Sequence, residues 1–366
     1  AKKKQALTKT QQKQIKKFAK KNPKVFLILL VAILVIGGIG VGAYLLYKKT
    51  HDDHHDPIES GEVQINFLEL GNDRIGDSTF IKVGDIDILI DAGSRKNSTE
   101  AIENFMKTKM DDKKLEYVIA THAHEDHIAG FVGTSTYGGI FDHYKVDNLI
   151  QFSRTDSTST LYKDYSAKVD VLKNNGCKVY TADQLVGQPI TLGENITLEI
   201  LDQKYYHEKA STENNYSVCC LLTQGENHYL FTGDLEGAGE RSLVEKNHLP
   251  ECELFKGGHH GSDTSNTDDL LKVIKPKTVC ICTCVGSKEY TENPAKIFPA
   301  QVVCDTIHKY TDKVYVTGSY IDEVYAPMNG NITFTCKKGS DYEVHGSNND
   351  TILKETEWFK NNRLNS

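Results

Sequence analysis

Residues 121–127 read Thr-His-Ala-His-Glu-Asp-His and directly follow the apolar run Tyr117-Val118-Ile119-Ala120. Imidazoles and a carboxylate crowded at a strand end cannot be buried without partners, because unpaired polar groups are costly away from water. A solvated histidine-rich loop is the alternative, but Ile128-Ala129-Gly130 after the cluster continues the apolar context. Imidazole and carboxylate together suit borderline-soft divalent metals. His122 and His124, two apart in an extended segment, point the same way, whereas Asp126 and His127 open a helix and face back from another direction. Two adjacent metal positions are expected, and the fold must bring further ligands to them.

The rest of the chain alternates short apolar strands with helical stretches. Strands are expected at 63–70, 78–83 and 85–93, then a helix near 99–110, the strand 117–121, a strand near 146–152 and a helix near 161–174. Strands near 196–201, 217–223 and 228–232 follow, then a helix near 240–246, a strand at 253–258 and a helix near 267–274. A cysteine-rich strand at 278–285, a helix near 295–310 and strands near 314–316, 321–325 and 332–336 complete the series. Two strand-rich halves flanked by helices predict an α/β sandwich of sheets with helices outside. The composition, 39% hydrophobic and 25% charged, excludes a disordered, collagen-like or coiled-coil chain. Cys280, Cys282 and Cys284 alternate along one strand and read as small buried hydrophobes. The polar tail 346–366 reads as a short helix around Trp358 at a frayed terminus.

The motif at 122–127 resembles the first metal motif, HxHxDH, of the metallo-β-lactamase superfamily. Three further segments fit in order: Asp91-Ala92-Gly93, Phe231-Thr232-Gly233-Asp234 and His259-His260-Gly261-Ser262. Within the superfamily the chain is most similar to the hydrolase domain of competence DNA-uptake proteins and to phosphorylcholine esterases, over about residues 63–340. The resemblance implies a four-layer αββα sandwich with the site at one edge between the sheets. It implies that His122 and His124 hold a first metal, Asp126 and His127 a second, and that Asp234 bridges both. His260 is favoured over His259 to complete the second site, leaving His259 to face substrate. Asp126, His259 and Asp234 are thus the expected catalytic groups, and Asp91 is expected to orient a ligand histidine through its other ring nitrogen. Asp91 reads equally as a turn-forming Asp before Gly.

Two departures from the family pattern matter. The superfamily usually supplies a third histidine to the first metal, where this chain has Glu213-Asn214-Asn215-Tyr216-Ser217. Asn215 or Asn214 is the candidate weak ligand, with His207 as a rival; an amide oxygen relaxes the preference for Zn2+ and admits Mn2+. The competence-type domains carry a Gly-His-Pro where this chain has Glu292-Asn293-Pro294, which weakens a DNA-processing reading. The expected activity is that of a metal-dependent hydrolase, a phosphodiesterase using water activated between two divalent ions. The alternatives are a non-catalytic metal-binding module with a degenerate site, or a hydrolase of another ester or amide class.

Charge separates the chain into two parts. Residues 1–50 hold 12 of the 43 basic groups and no acidic one, leaving 31 against 50 acidic groups in the rest, a balance of −19. Such a body lacks the bulk positive field that nonspecific nucleic-acid binding relies on, so a smaller phosphoester is the expected partner. The basic head flanks Val25–Tyr47, 23 residues without a charge. At about 1.5 Å per residue that run can cross a hydrocarbon core of about 30 Å. Ten Lys precede it and two follow, which predicts a single-pass anchor with the N-terminus cytoplasmic and the hydrolase domain outside the cell. The expected organisation is a basic segment at 1–24, a transmembrane helix at 25–47, a linker at 48–62, the hydrolase domain at 63–345 and the tail.

Overall fold

In the computed structural model, which describes residues 61–338 and 341–364, six strands come first among the described residues: β1 (Val63–Phe67), β2 (Thr79–Val83), β3 (Ile86–Ile90), β4 (Lys114–Ala120), β5 (Lys145–Gln151) and β6 (Lys178–Thr181). A second sheet is then laid down by β7 (Ile190–Gly193), β8 (Ile196–Ile200), β9 (Cys220–Gln224), β10 (Asn227–Phe231), β11 (Leu254–Lys256), β12 (Val279–Val285), β13 (Val314–Ile321) and β14 (Val324–Pro327). Finally β15 (Ile332–Cys336) and β16 (Tyr342–Gly346) return to the first sheet. The orders are β16-β15-β1-β2-β3-β4-β5-β6 and β14-β13-β12-β11-β10-β9-β8-β7. The result is an α/β sandwich built on two eight-stranded sheets.

Parallel neighbours require a crossover, and helices supply it. In chain order the helices are α1 (Ser98–Met106), α2 (Glu125–Val132), α3 (Ile140–His143), α4 (Thr160–Asn174), α5 (Ala182–Leu185), α6 (Gly237–Lys246), α7 (Asp268–Ile274), α8 (Gln301–His308) and α9 (Glu357–Asn362). Helix α1 joins the parallel pair β3 and β4, and α6, α7 and α8 join β10 through β13, which are parallel in succession. Strand alternation decides which core each side chain enters. Tyr229, Phe231, Cys280 and Cys282 share the core of the first sheet. Their neighbours Leu230, Val279 and Ile281 pack instead with Leu243 of α6, Leu270 of α7 and Val303 of α8. Cys280, Cys282 and Cys284 are buried thiols, so the small-hydrophobe reading describes them.

Several expected boundaries move. The strand placed at 321–325 is interrupted by a turn at Asp322 and Glu323, both at positive φ, so β13 ends at Ile321 and β14 begins at Val324. The helix near 295–310 shortens to α8, because Pro299 lacks the N–H that an earlier start would need. The tail is not frayed: Trp358 and Arg363 are buried and α9 packs on the second core. The basic segment, the apolar run 25–47 and most of the linker lie outside the described residues. Among the described residues no helix is long and apolar enough to cross a membrane.

Candidate metal centre

The loops after β3, β4, β10 and β11 converge at one end of the sandwich. Strand β4 ends at Ala120 and delivers Thr121 and His122, while His124 sits at the N-terminus of α2 and Asp126 and His127 in its first turn. The β1–β2 loop is pinned beneath them, with Asp77 N donating to Asp126 O at 2.9 Å and Gly93 N to Asp77 O at 2.9 Å. Only glycine fits at 93, since a Cβ there would run into the Asp126 carbonyl and the His127 amide. After β11 the chain turns sharply through His259 and His260, with φ of 48° and 53°. Left-handed backbone at two consecutive non-glycine residues is strained and is characteristic of functional sites.

Asp234 lies at the centre. Its Oδ2 is 3.1 Å from His127 Nε2, 3.4 Å from His260 Nε2, 3.8 Å from His259 Nε2 and 4.0 Å from His122 Nε2. His122 Nε2 lies 3.0 Å from His124 Nδ1, which gathers the expected first pair. His260 Nε2 is 3.5 Å from Asp126 Oδ2, which gathers the expected second set. Asp77, His127, Asp234 and His260 each present a ligand atom within 4.8 Å of one another. Asp234 Oδ1 and His260 Nε2 are buried without a hydrogen-bond partner. Buried polar atoms left without a partner inside a cluster of imidazoles and carboxylates are what a divalent ion would satisfy, so the donor set fits the metal.

Outer contacts fix the ring orientations. Asp91 Oδ2 accepts from His127 Nδ1 at 2.7 Å and from Thr121 Oγ1 at 2.6 Å, while its Oδ1 accepts from Thr121 N at 2.8 Å. Its φ of 58° shows that the turn-forming and orienting readings of Asp91 describe one residue. His260 Nδ1 donates to Cys282 O at 2.9 Å, which directs Nε2 inward. His259 Nδ1 is 2.8 Å from Thr264 Oγ1 and its Nε2 3.4 Å from Asn214 Nδ2, so this ring faces the cleft.

The electrostatics are those of a cluster balanced by its own ions. Burial and the neighbouring His127 hold His122 well below the usual imidazole range. Burial disfavours charge on His260, but Asp234, Asp77 and Asp126 outweigh it and push the group up to about 9. His127 is likewise raised by Asp234 and Asp91 against its burial. Burial alone would raise Asp126 and Asp234, yet the surrounding histidines hold both low.

The structure corrects the expectation for Asn215. Its amide donates to Thr212 Oγ1 and Glu236 Oε2 at 3.0 and 3.2 Å, and its Oδ1 accepts from Glu236 N at 3.2 Å, so both ends are engaged in holding the loop. A 3-10 turn over Glu213–Tyr216 rotates successive residues by about a third of a turn. Asn214 is the one turned toward the cleft, with its Oδ1 buried and unpartnered. His207 is exposed and pairs with Asp202 at 3.2 Å, away from the site. Sequence reasoning missed Asp77, Lys256, Arg95 and Tyr290. Buried Lys256 forms an ion pair with Asp77. Arg95 and Tyr290 line, with His124, Glu125, Asp126, Asn214 and His259, an open cleft of about 410 Å³.

This architecture and donor set define a class: the chain belongs to the metallo-β-lactamase superfamily, near the competence type. The pattern of the Metallo-beta-lactamase superfamily matches residues 71–138 and 179–284. The chain is 27% identical over 253 residues to Recombination protein 2 of Haemophilus influenzae, covering 69% of this chain and 27% of that protein. It is 26% identical over 175 residues to ComE operon protein 3 of Bacillus subtilis, covering 46% and 20% respectively. It therefore spans about a quarter of the length of these relatives. Among solved structures, the metallo-beta-lactamase fold protein YhfI from Bacillus subtilis aligns with a TM-score of 0.44 at 12% identity, over 75% of this chain and 100% of that one.

Proposed function

We propose that this metal-dependent hydrolase is a phosphodiesterase, anchored in the cell membrane by residues 25–47 with its N-terminus cytoplasmic and its hydrolase domain outside the cell. The observation that carries the reading is Asp234, whose Oδ2 stands among His122, His127, His259 and His260 while Oδ1 has no partner. His122 and His124 would hold one ion, Asp126, His127 and His260 the other, and Asp234 both. Bound divalent ions supply Lewis acidity and bring the pKa of water toward about 7.

The chain's own groups do the rest. Arg95, Asn214 and His259 bring N–H donors to the cleft, a lining that suits phosphoryl oxygens. His259, held through Thr264, would contact the phosphate or protonate the departing oxygen. The acidic body favours a substrate read at a single phosphoester, such as a cell-envelope phosphodiester. The likeness to Recombination protein 2 favours a nucleic acid, and both substrates belong in one test. Purified protein is assayed on single-stranded DNA and on a choline phosphodiester at matched Zn2+ or Mn2+. Chelator-sensitive turnover that is lost in His124→Ala supports the reading. Turnover surviving complete metal removal sinks it, and stoichiometric metal without turnover on any phosphoester indicates a binding module.

A further inference from the structure

Between β12 and α8, residues 286–299 run as a strap from the candidate metal centre to the C-terminal tail. Toward the metal centre, Tyr290 donates its hydroxyl to Asp126 Oδ2 at 2.7 Å. Its ring stacks on Phe298 at 5.8 Å and 25°, and Phe298 meets the His259 ring edge-on at 6.1 Å. Glu289 pairs with Arg95 and accepts from Ile75 N at 3.0 Å. The strap is also joined to the histidine turn by Ala300 N, which donates to Gly261 O at 2.8 Å.

The tail holds the other side. Arg363, 5% exposed, donates to Pro299 O at 3.1 and 2.9 Å, to Ile297 O at 2.6 Å and to Pro294 O at 3.2 Å. Its guanidinium lies 4.3 Å from the centre of the Trp358 ring. Trp358 Nε1 in turn lies so close to Gly286 that a Cβ there would approach it to 3.2 Å. A cavity of about 470 Å³ opens between strap and tail, so packing alone does not fix the strap. A planar fork of donors makes four hydrogen bonds to three backbone carbonyls, a geometry that lysine's compact ammonium does not reproduce.

We propose that Arg363 and Tyr290 are positioning residues that couple the C-terminal tail to the metal centre: Arg363 fixes the strap, and Tyr290 fixes the Asp126 carboxylate for its ion. The proposal rests on the reading of Asp126 as a metal ligand and is independent of the substrate. Ligating carboxylates are themselves held by hydrogen bonds, and losing such a partner lowers metal affinity by about 10–100-fold. Trp358 is the only tryptophan in the sequence, so its emission reports the tail–strap contact directly.

The test titrates metal-stripped full-length protein with Zn2+ or Mn2+, following Trp358 emission and bound metal together. In the wild type, metal uptake shifts the emission. Tyr290→Phe keeps the ring on Phe298 but weakens metal binding by about tenfold and removes the emission response. Arg363→Lys, chosen because Arg363→Ala risks misfolding, weakens binding to a similar degree. Wild-type affinity in both variants, or emission unmoved at full metal occupancy, overturns the coupling while leaving the metal centre intact. A wild-type protein that takes up no ion overturns the site and the coupling together.

Discussion

Asp91→Asn tests the tautomer of His127. Asp91 accepts three hydrogen bonds, from Thr121 N, Thr121 Oγ1 and His127 Nδ1. In the variant the amide oxygen can keep the Thr121 N–H at 2.8 Å, and the Thr121 hydroxyl can rotate to accept. His127 Nδ1 cannot adjust this way: facing an NH2 group, it must offer its lone pair, which moves the ring proton to Nε2. That proton then points at Asp234 Oδ2, 3.1 Å away, where a ligand lone pair is required. Loss of such an orienting partner corresponds to about 10–100-fold in metal affinity, or about 1.4–2.7 kcal/mol. Folding should change less, by under about 2 kcal/mol, because burial disfavours the Asp91 charge and removing it offsets part of the lost bonding. Chelator-competition titration of each ion, with thermal melts of the metal-free protein, separates the two effects. Second-ion affinity within twofold of wild type would refute the tautomer argument.

Three further substitutions probe the framework. Gly93→Ala should prevent the β1–β2 loop and α2 from meeting, because the added methyl collides with the Asp126 carbonyl. A loss of several kcal/mol in urea unfolding is expected, and near-wild-type stability would show that the loops can part. Asn215→Ala removes three hydrogen bonds and should cost about 1–3 kcal/mol of stability. Asn214→Ala should leave the melting temperature within a few degrees while raising KM on a turned-over phosphoester; the opposite assignment of effects would mean that the 3-10 turn is phased differently.

What the sequence reveals follows physical lines. The motif at 122–127 is legible because its donors crowd at one strand end, and Asp234 and the His259-His260 pair become legible through their order along the chain. Asp77 carries no such cue: it is a single Asp in a loop, brought to His127 and Asp234 only by tertiary folding. Lys256 reads as one more residue of an apolar strand, and its burial is explained only by Asp77. Asn214 and Asn215 differ by the phase of one 3-10 turn, which composition does not encode. The strands that escape notice, β6, β7 and β16, and the misplaced β14, all lie at or beside sheet edges. Paired and packed on fewer sides, they hold exposed and half-buried residues with Leu192 alone buried.

In the metal-free protein, protons held on buried imidazoles offset the surrounding carboxylates. Four carboxylates, of Asp77, Asp91, Asp126 and Asp234, converge on His127, His260 and Lys256. His260 is raised from 6.5 to about 9 by Asp234, Asp77 and Asp126, in spite of its burial. A group raised on folding contributes stability that is complete below its unfolded pKa and disappears as pH rises through the folded one. For His260 that window runs from about 6.5 to 9 and is worth about 3 kcal/mol, with His127 acting in the same direction. Divalent ions require the neutral imidazoles and displace those protons. The metal-free protein should therefore lose melting temperature steadily between pH 6.5 and 9, whereas the metal-loaded protein should hold its own while its metal affinity rises. Melting curves at matched ionic strength decide the matter, and parallel pH profiles for the two forms would show that these histidines carry no protons for a metal to replace.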